Sequence, residues 1–170
     1  MMVTFIAAVS DDGFIAQNGR IPWHLPRDFQ HFRDYSAGKT LLVGRKTYEE
    51  MLGWFRGHFP FVITRQRDYA VPQGCAVASV KQALRLARER GTDELLVLGG
   101  GEIFAAAWPW AERLVITQVH TLLGEGTSFP TRNFSGWWEI SSQYFPVDAA
   151  HAVAFTIKFL SPPNPLPHAT

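Results

Sequence analysis

Leu95-Leu96-Val97-Leu98-Gly99-Gly100-Gly101-Glu102-Ile103-Phe104 joins an apolar run to a glycine triplet and then to a helix-forming stretch. The short apolar run suits a strand buried on both faces. The glycines permit either a tight turn or a close approach of backbone N–H groups to a ligand's phosphates. Their spacing is not G-x-G-x-x-G, so a dinucleotide-fingerprint label is unsupported. The same strand–loop–helix order recurs on both sides. Val3 to Val9 reads as a buried strand, with turns at Asp11-Asp12-Gly13 and Gln17-Asn18-Gly19-Arg20. Pro26 suits the first position of a helix running to about Tyr35 and stopping before Gly38. Leu41 to Val43 and Pro60 to Thr64 read as strands, with a short helix between them from about Lys46 to Leu52. Ser79 and Gln82 form a capping box ahead of a helix with the apolar stripe Val80, Ala83, Leu84 and Ala87, which Gly91 ends. Leu114 to Val119, Trp138 to Tyr144 and Ala152 to Leu160 read as later strands, the last two pairing through Pro146-Val147-Asp148. Strands alternating with helices predict a mainly parallel α/β sheet, with ligands beyond the carboxyl ends of its strands.

The chain has 170 residues, 46% apolar and 18% charged, which predicts one folded domain with a real core. That domain is expected over residues 1–160. Residues 161–170 form a proline-rich tail, since Ser161 to Pro167 holds four prolines. Sixteen bases against fifteen acids give a net charge of +1, without the basic excess of a nucleic-acid binder. One cysteine, Cys75, excludes an internal disulfide framework and a thiolate zinc site. The six histidines hold no metal-ligand pair at i, i+4 on a helix, and no metal is expected. No apolar run reaches the ~20 residues of a membrane span. The apolar start has no basic segment before it and reads as a strand rather than a signal peptide, so the cytoplasm is the expected compartment.

Asp28 shares a helix face with Phe32, and Phe29 and Tyr35 flank that face. A carboxylate beside aromatic rings is partly desolvated, which suits acid–base work, while a first-turn acid also satisfies the helix dipole. Gly44-Arg45-Lys46-Thr47 and Thr64-Arg65 stand at strand ends and can hold phosphate, or can be solvated loops. Two cationic strand ends and a glycine strand end on one rim point to a phosphate-bearing nucleotide.

The pattern resembles the dihydrofolate reductase family. The resemblance rests on Ile6-Ala7-Ala8, Ile21-Pro22-Trp23-His24-Leu25-Pro26-Arg27-Asp28, Gly44-Arg45-Lys46-Thr47-Tyr48-Glu49, Val62-Ile63-Thr64-Arg65, Leu98-Gly99-Gly100-Gly101-Glu102-Ile103-Phe104 and Thr127-Ser128-Phe129-Pro130. These motifs occur in the family's order and cover residues 3 to about 160. The resemblance implies a central eight-stranded, mainly parallel twisted sheet with a C-terminal antiparallel strand, flanked by about four helices. It implies a monomer that reduces 7,8-dihydrofolate with NADPH, hydride passing from nicotinamide C4 to pterin C6 with protonation at N5. Asp28 would be the active-site acid and Trp23 would hold an ordered water beside it. Ile6, Ala7, Ala8, Phe29, Phe32, Met51, Phe55, His58, Leu98 and Thr117 would complete the substrate site. Ala8, Ile15, Ile21, Gly44, Arg45, Lys46, Thr47, Thr64, Arg65, Leu98, Gly99, Gly100, Gly101, Glu102, Ile103, Phe104 and Thr127 would hold the cofactor. Arg45, Thr64 and Arg65 would take the 2′-phosphate, and Gln17 to Ile21 would be a mobile loop over the nicotinamide.

Three departures accompany the resemblance. His58 stands where the family usually has an arginine that clamps the glutamate carboxylate of folate. On that basis substrate affinity is expected to fall as pH rises through the histidine range. Phe104 stands where many members have tyrosine, and Gly126 where some have an aspartate that pins the mobile loop. Two other functions compete: an NADPH-dependent reductase of a dihydropterin or pyrimidine without a glutamate tail, and a non-catalytic nucleotide-binding protein.

Overall fold

The computed structural model describes residues 1–131 and 134–163. Its strands are β1 Met2–Ser10, β2 Phe14–Ala16, β3 Thr40–Gly44, β4 Phe59–Ile63, β5 Cys75–Val77, β6 Glu94–Gly99, β7 Arg113–Val119, β8 Thr127–Ser128, β9 Trp138–Phe145 and β10 Phe155–Ser161. The α-helices are α1 Pro26–Ser36, α2 Arg45–Glu50, α3 Val80–Glu89 and α4 Gly101–Ala107. Eight strands form one sheet in the order β5-β4-β3-β6-β1-β7-β10-β9, and β2 pairs separately with β8. The ladders from β5 to β7 are parallel, while β10 runs antiparallel to both of its neighbours.

Alternation along the central strands covers both faces of the sheet. Val3, Phe5, Val9, Leu95, Val97, Leu114 and Ile116 pack with the apolar stripe of α3 and with Phe104 and Ala107 of α4. Ile6, Leu96 and Val115 point the other way, toward Phe32, Tyr48 and Phe55. Because β1, β3, β4 and β6 are parallel, Ser10, Gly44, Ile63 and Gly99 end on one rim.

Local signals set the start of α1 and both ends of α3. Pro26 opens α1, and Ser79 Oγ accepts the Gln82 N–H at 3.2 Å. Gln82 Oε1 returns to the Ala78 N–H at 2.8 Å, one residue ahead of the position a strict capping box uses. Gly91, at φ +73°, ends α3 with bonds from Gly91 N to Arg88 O and from Thr92 N to Ala87 O.

Several boundaries differ from expectation. β5 was not expected: it is three residues long and its identity comes from pairing with β4. β2 and β8 are shorter or equally brief and likewise exist through each other. α2 closes at Glu50, with turns rather than helix to Leu52. β10 starts at Phe155, not Ala152, because Asp148 and His151 pair as an isolated bridge in the preceding connection. Ser161 pairs with Trp138, so it belongs to the sheet rather than to the tail. Residues 164–170 of the expected tail lie outside the described residues.

Candidate active site

Asp28 lies in the first turn of α1. Thr117 Oγ1 donates to Asp28 Oδ1 at 2.5 Å. Thr117 is buried in β7, with Ala8 of β1 beside it on one side and Ile157 of β10 on the other. The hydroxyl therefore holds the carboxyl against the sheet. Burial pushes the Asp28 pKa up; the Thr117 hydrogen bond and the nearby His31 pull it down, and burial prevails. Trp23 packs with Ala8 and Val153 against Leu25, Phe155 and Ile157. Its indole N–H is sheltered from solvent and has no acceptor among the described residues. A sheltered donor of this kind gains free energy by pairing with a bound molecule.

Ile6, Phe32, Met51, Phe55 and Leu98 converge on the same face of the sheet. Ala8 lies two residues beyond Ile6 on that face, while Ala7 packs on the opposite one and can offer the cleft only its backbone. Phe29 is half exposed at the lip of α1. Trp54 joins this group, although the sequence reading did not single it out. Its ring stacks on Phe32 (4.8 Å between centroids, 22° between planes) and on His58 (4.5 Å, 20°). Both His58 nitrogens are sheltered without partners, so His58 presents a ring face to Trp54 and no accessible N–H. The spacing Met51, Trp54, Phe55 and His58 is i, i+3, i+4, i+7, and that one-sided pattern was the available signal.

The glycine triplet meets the Gly44 strand end across the rim. A methyl group on Gly44 would lie 2.9 Å from Ile103 Cγ1, and one on Gly100 would lie 3.3 Å from Thr47 Oγ1. On Gly101 it would meet Thr127 Cγ2 at 2.5 Å, with Ile15 Cδ1 at 3.9 Å. Gly44, Thr47, the triplet, Ile103, Thr127 and Ile15 thus pack together on one rim, where only glycine lets the backbone come this close. α2 and α4 have no side-chain cap at Gly44 or Gly100, which leaves first-turn N–H groups for an anion. Glu102 is exposed on α4, and Phe104 is buried under the turn. Among the cations, Arg45 is already bonded to Glu49 at 2.8 Å, and Tyr69 also donates to that glutamate. Lys46 and Arg65 are exposed and make no ion pair among the described residues. Thr64 is buried, its Oγ1 accepting the Gln66 N–H. The glycine rim, the uncapped helix starts and these cations fit a dinucleotide with an added phosphate.

The family model described as dihydrofolate reductase matches residues 2–161. The chain belongs to the dihydrofolate reductase family. It is 33% identical over 162 residues to a type 3 dihydrofolate reductase of Salmonella typhimurium, covering 95% of this chain and 98% of the relative. It is 35% identical over 140 residues to the dihydrofolate reductase of Neisseria gonorrhoeae, covering 82% and 85%. The structure also resembles dihydrofolate reductase from Enterococcus faecalis complexed with NADP(H) and RAB-propyl. The TM-score is 0.81 at 27% identity, over 94% of this chain and 95% of that one.

The loop at Gln17 is tied from two sides. At Gly126 (φ +149°) a Cβ would lie 2.1 Å from Ala16 O, so no aspartate fits there without moving the backbone. Asp12 makes a tie from the other strand end, accepting from Leu123 N at 3.1 Å and Gly124 N at 2.7 Å. Gln17 Nε2 adds a bond to Leu123 O at 3.1 Å. Ile21 is exposed beyond this tie. Asp12→Ala is expected to weaken NADPH binding by about tenfold, the scale of one such charge-assisted bond. Fluorescence titration with NADPH checks it; unchanged affinity would show that the β2–β8 pairing and the Gln17 bond suffice to hold the loop.

Proposed function

We infer that this chain catalyses the NADPH-dependent reduction of 7,8-dihydrofolate to 5,6,7,8-tetrahydrofolate. The observation that carries the reading is the Asp28 carboxyl, buried and held by Thr117 against the same sheet whose rim carries the glycine triplet. NADPH supplies the hydride when bound. The chain supplies orientation and electrostatics. Thr117 occupies one carboxylate oxygen of Asp28 and leaves the other for the pterin's amino edge. The raised pKa lets Asp28 favour a proton on the substrate's side of the cleft, delivered to N5 through water that Trp23 can hold. Phe32, Met51 and Phe55 wall the rings, and Ala8, Ile15 and Leu98 line the nicotinamide side. Gly44, Thr47 and residues 99–104 hold the pyrophosphate, with Lys46, Thr64 and Arg65 on the 2′-phosphate side; Arg45 joins them only by leaving Glu49. The reading is of a monomer working where NADPH is regenerated, in the cytoplasm. Decay of NADPH absorbance with dihydrofolate tests the activity, and size-exclusion chromatography tests the monomer.

A second reading, reduction of a dihydropterin without the glutamate tail, is favoured by one observation: Trp54 covers His58 and both ring nitrogens are inaccessible. The ring as placed cannot give the bidentate charged clamp that arginine gives a carboxylate. His58→Leu is accordingly expected to change KM for dihydrofolate by less than about threefold, under the scale of one charged hydrogen bond. A tenfold rise in KM would show that His58 swings out to bind the tail. A glutamate-free dihydropterin turned over as well as dihydrofolate would shift the substrate assignment to the second reading.

A further inference from the structure

We propose that His151 is a positioning residue for Asp28, acting as a remote cap on the helix that carries it. The argument starts at the beginning of α1. Leu25 occupies the N-cap and has no side chain that can accept a hydrogen bond. Pro26 follows and has no N–H. The first N–H needing a partner is therefore that of Arg27, the residue before Asp28. His151 Nε2 accepts it at 3.1 Å, from 124 residues away in the chain. The helix gets from the β9–β10 connection the acceptor that its own N-cap lacks.

The surroundings of His151 select the form able to do this. Nδ1 lies 2.7 Å from Asp148 Oδ1. An ionised carboxylate only accepts, so Nδ1 carries the proton and Nε2 keeps its lone pair. Asp148 is itself held, accepting from Ala150 N at 2.8 Å and bridging His151 through the backbone. His151 is 5% exposed, with its ring against Phe155. The charged group bonded to the ring is Asp148 from its own connection, and α1 offers it the Arg27 backbone. The Arg27 guanidinium is turned over the Phe145 ring, 5.2 Å from its centroid, leaving the backbone N–H to the imidazole.

The first turn of α1 is thus clamped twice. Thr117 holds the Asp28 side chain, and His151 holds the backbone one residue earlier. Just ahead of the helix, Pro22, Trp23 and His24 line a cavity of about 470 Å³ together with Asp148 and Ala150, while Trp23 and Leu25 pack against Phe155 and Ile157. Without the imidazole the turn frays and the carboxylate loses its place, and a misplacement of about 1 Å in such a site costs up to ~10²-fold in rate.

The proposal rests on Asp28 being the active-site acid, and the test separates the two. In the full-length protein, His151→Leu keeps an apolar side chain without an acceptor, and His151→Gln keeps an acceptor. The Leu variant is expected to lose about tenfold or more in hydride-transfer rate while NADPH affinity stays within about twofold. Its pH–rate midpoint is expected to fall, because solvent reaches Asp28 and relieves desolvation. The Gln variant is expected to recover most of the rate and the midpoint. In the unmodified protein, a through-hydrogen-bond ¹⁵N–¹⁵N coupling should link the Arg27 amide to His151 Nε2, whatever the activity. Absence of that coupling overturns the cap. A Leu variant with unaltered rate and pH profile overturns the positioning role, as does a Gln variant as impaired as Leu. Wild-type turnover by Asp28→Asn, with the coupling present, would instead overturn the assignment of Asp28 and leave the cap standing as a structural bond.

Discussion

Asp28→Asn abolishes most turnover, by about 10²–10⁴-fold, and at the same time raises the melting temperature at neutral pH. The loss follows from removing the group that fixes and favours protonation of the substrate. The gain follows from the direction of its pKa. Burial raises the Asp28 pKa in the folded protein above its unfolded value, with Thr117 and His31 only partly opposing this. Holding the ionised group in place therefore costs stability. That cost is absent below the unfolded pKa, grows as pH rises between the two values, and is complete above the folded one. Asparagine retains an oxygen for the Thr117 hydroxyl and has no charge to bury. Its stability advantage should vanish as pH drops below the ordinary aspartate range. Melting curves from pH 3 to pH 8, run beside NADPH oxidation rates, read both effects. The wild-type rate should fall as pH rises through the titration of Asp28, and the variant should lack that step. A variant that is inactive but no more stable would show that ionised Asp28 is better solvated than its burial indicates.

Gly99→Ala removes NADPH binding and unfolds the rim, at a cost of about 2–4 kcal/mol. Two effects combine. Gly99 sits at φ +98°, in a region that residues with a Cβ seldom adopt. The new methyl would also lie 2.6 Å from Phe104 Cε2. Phe104 cannot swing clear, because it is buried against Phe5 and Phe129 at centroid distances of 5.5 and 5.1 Å. Gly38→Ala supplies the comparison: its φ is +70° but nothing lies within 4 Å of the added atom. It should cost only about 1 kcal/mol, with NADPH affinity intact. Equal melting temperatures for the two variants would mean that backbone conformation, not the Phe104 contact, dominates at Gly99.

How much was legible depended on the range of the interaction. The start of α1 at Pro26, the Ser79 cap, the stripe of α3 and its stop at Gly91 are all decided within a few residues of chain, and each was readable. So was the rim, since parallel strands inevitably bring Gly44, Thr64 and Gly99 to one edge. The motif around Trp23 and Asp28 carried the family. His58 suggests a charged partner by its position in the motif, whereas its stack on Trp54 comes from the packing of a turn.

The sequence by itself determined the alternating pattern, the glycine positions and the acid on its helix, because backbone sterics and hydrophobic period act locally. Only the tertiary structure decided which groups meet. Thr117 reaches Asp28 across 89 residues, Asp12 reaches Gly124 across 112, and His151 reaches Arg27 across 124. β5 is a strand only because β4 offers it a partner. A hydrogen bond between distant residues leaves no periodic trace in either segment. Its energy is realised only after the sheet has placed donor and acceptor within about 3 Å, and that placement belongs to the packed whole.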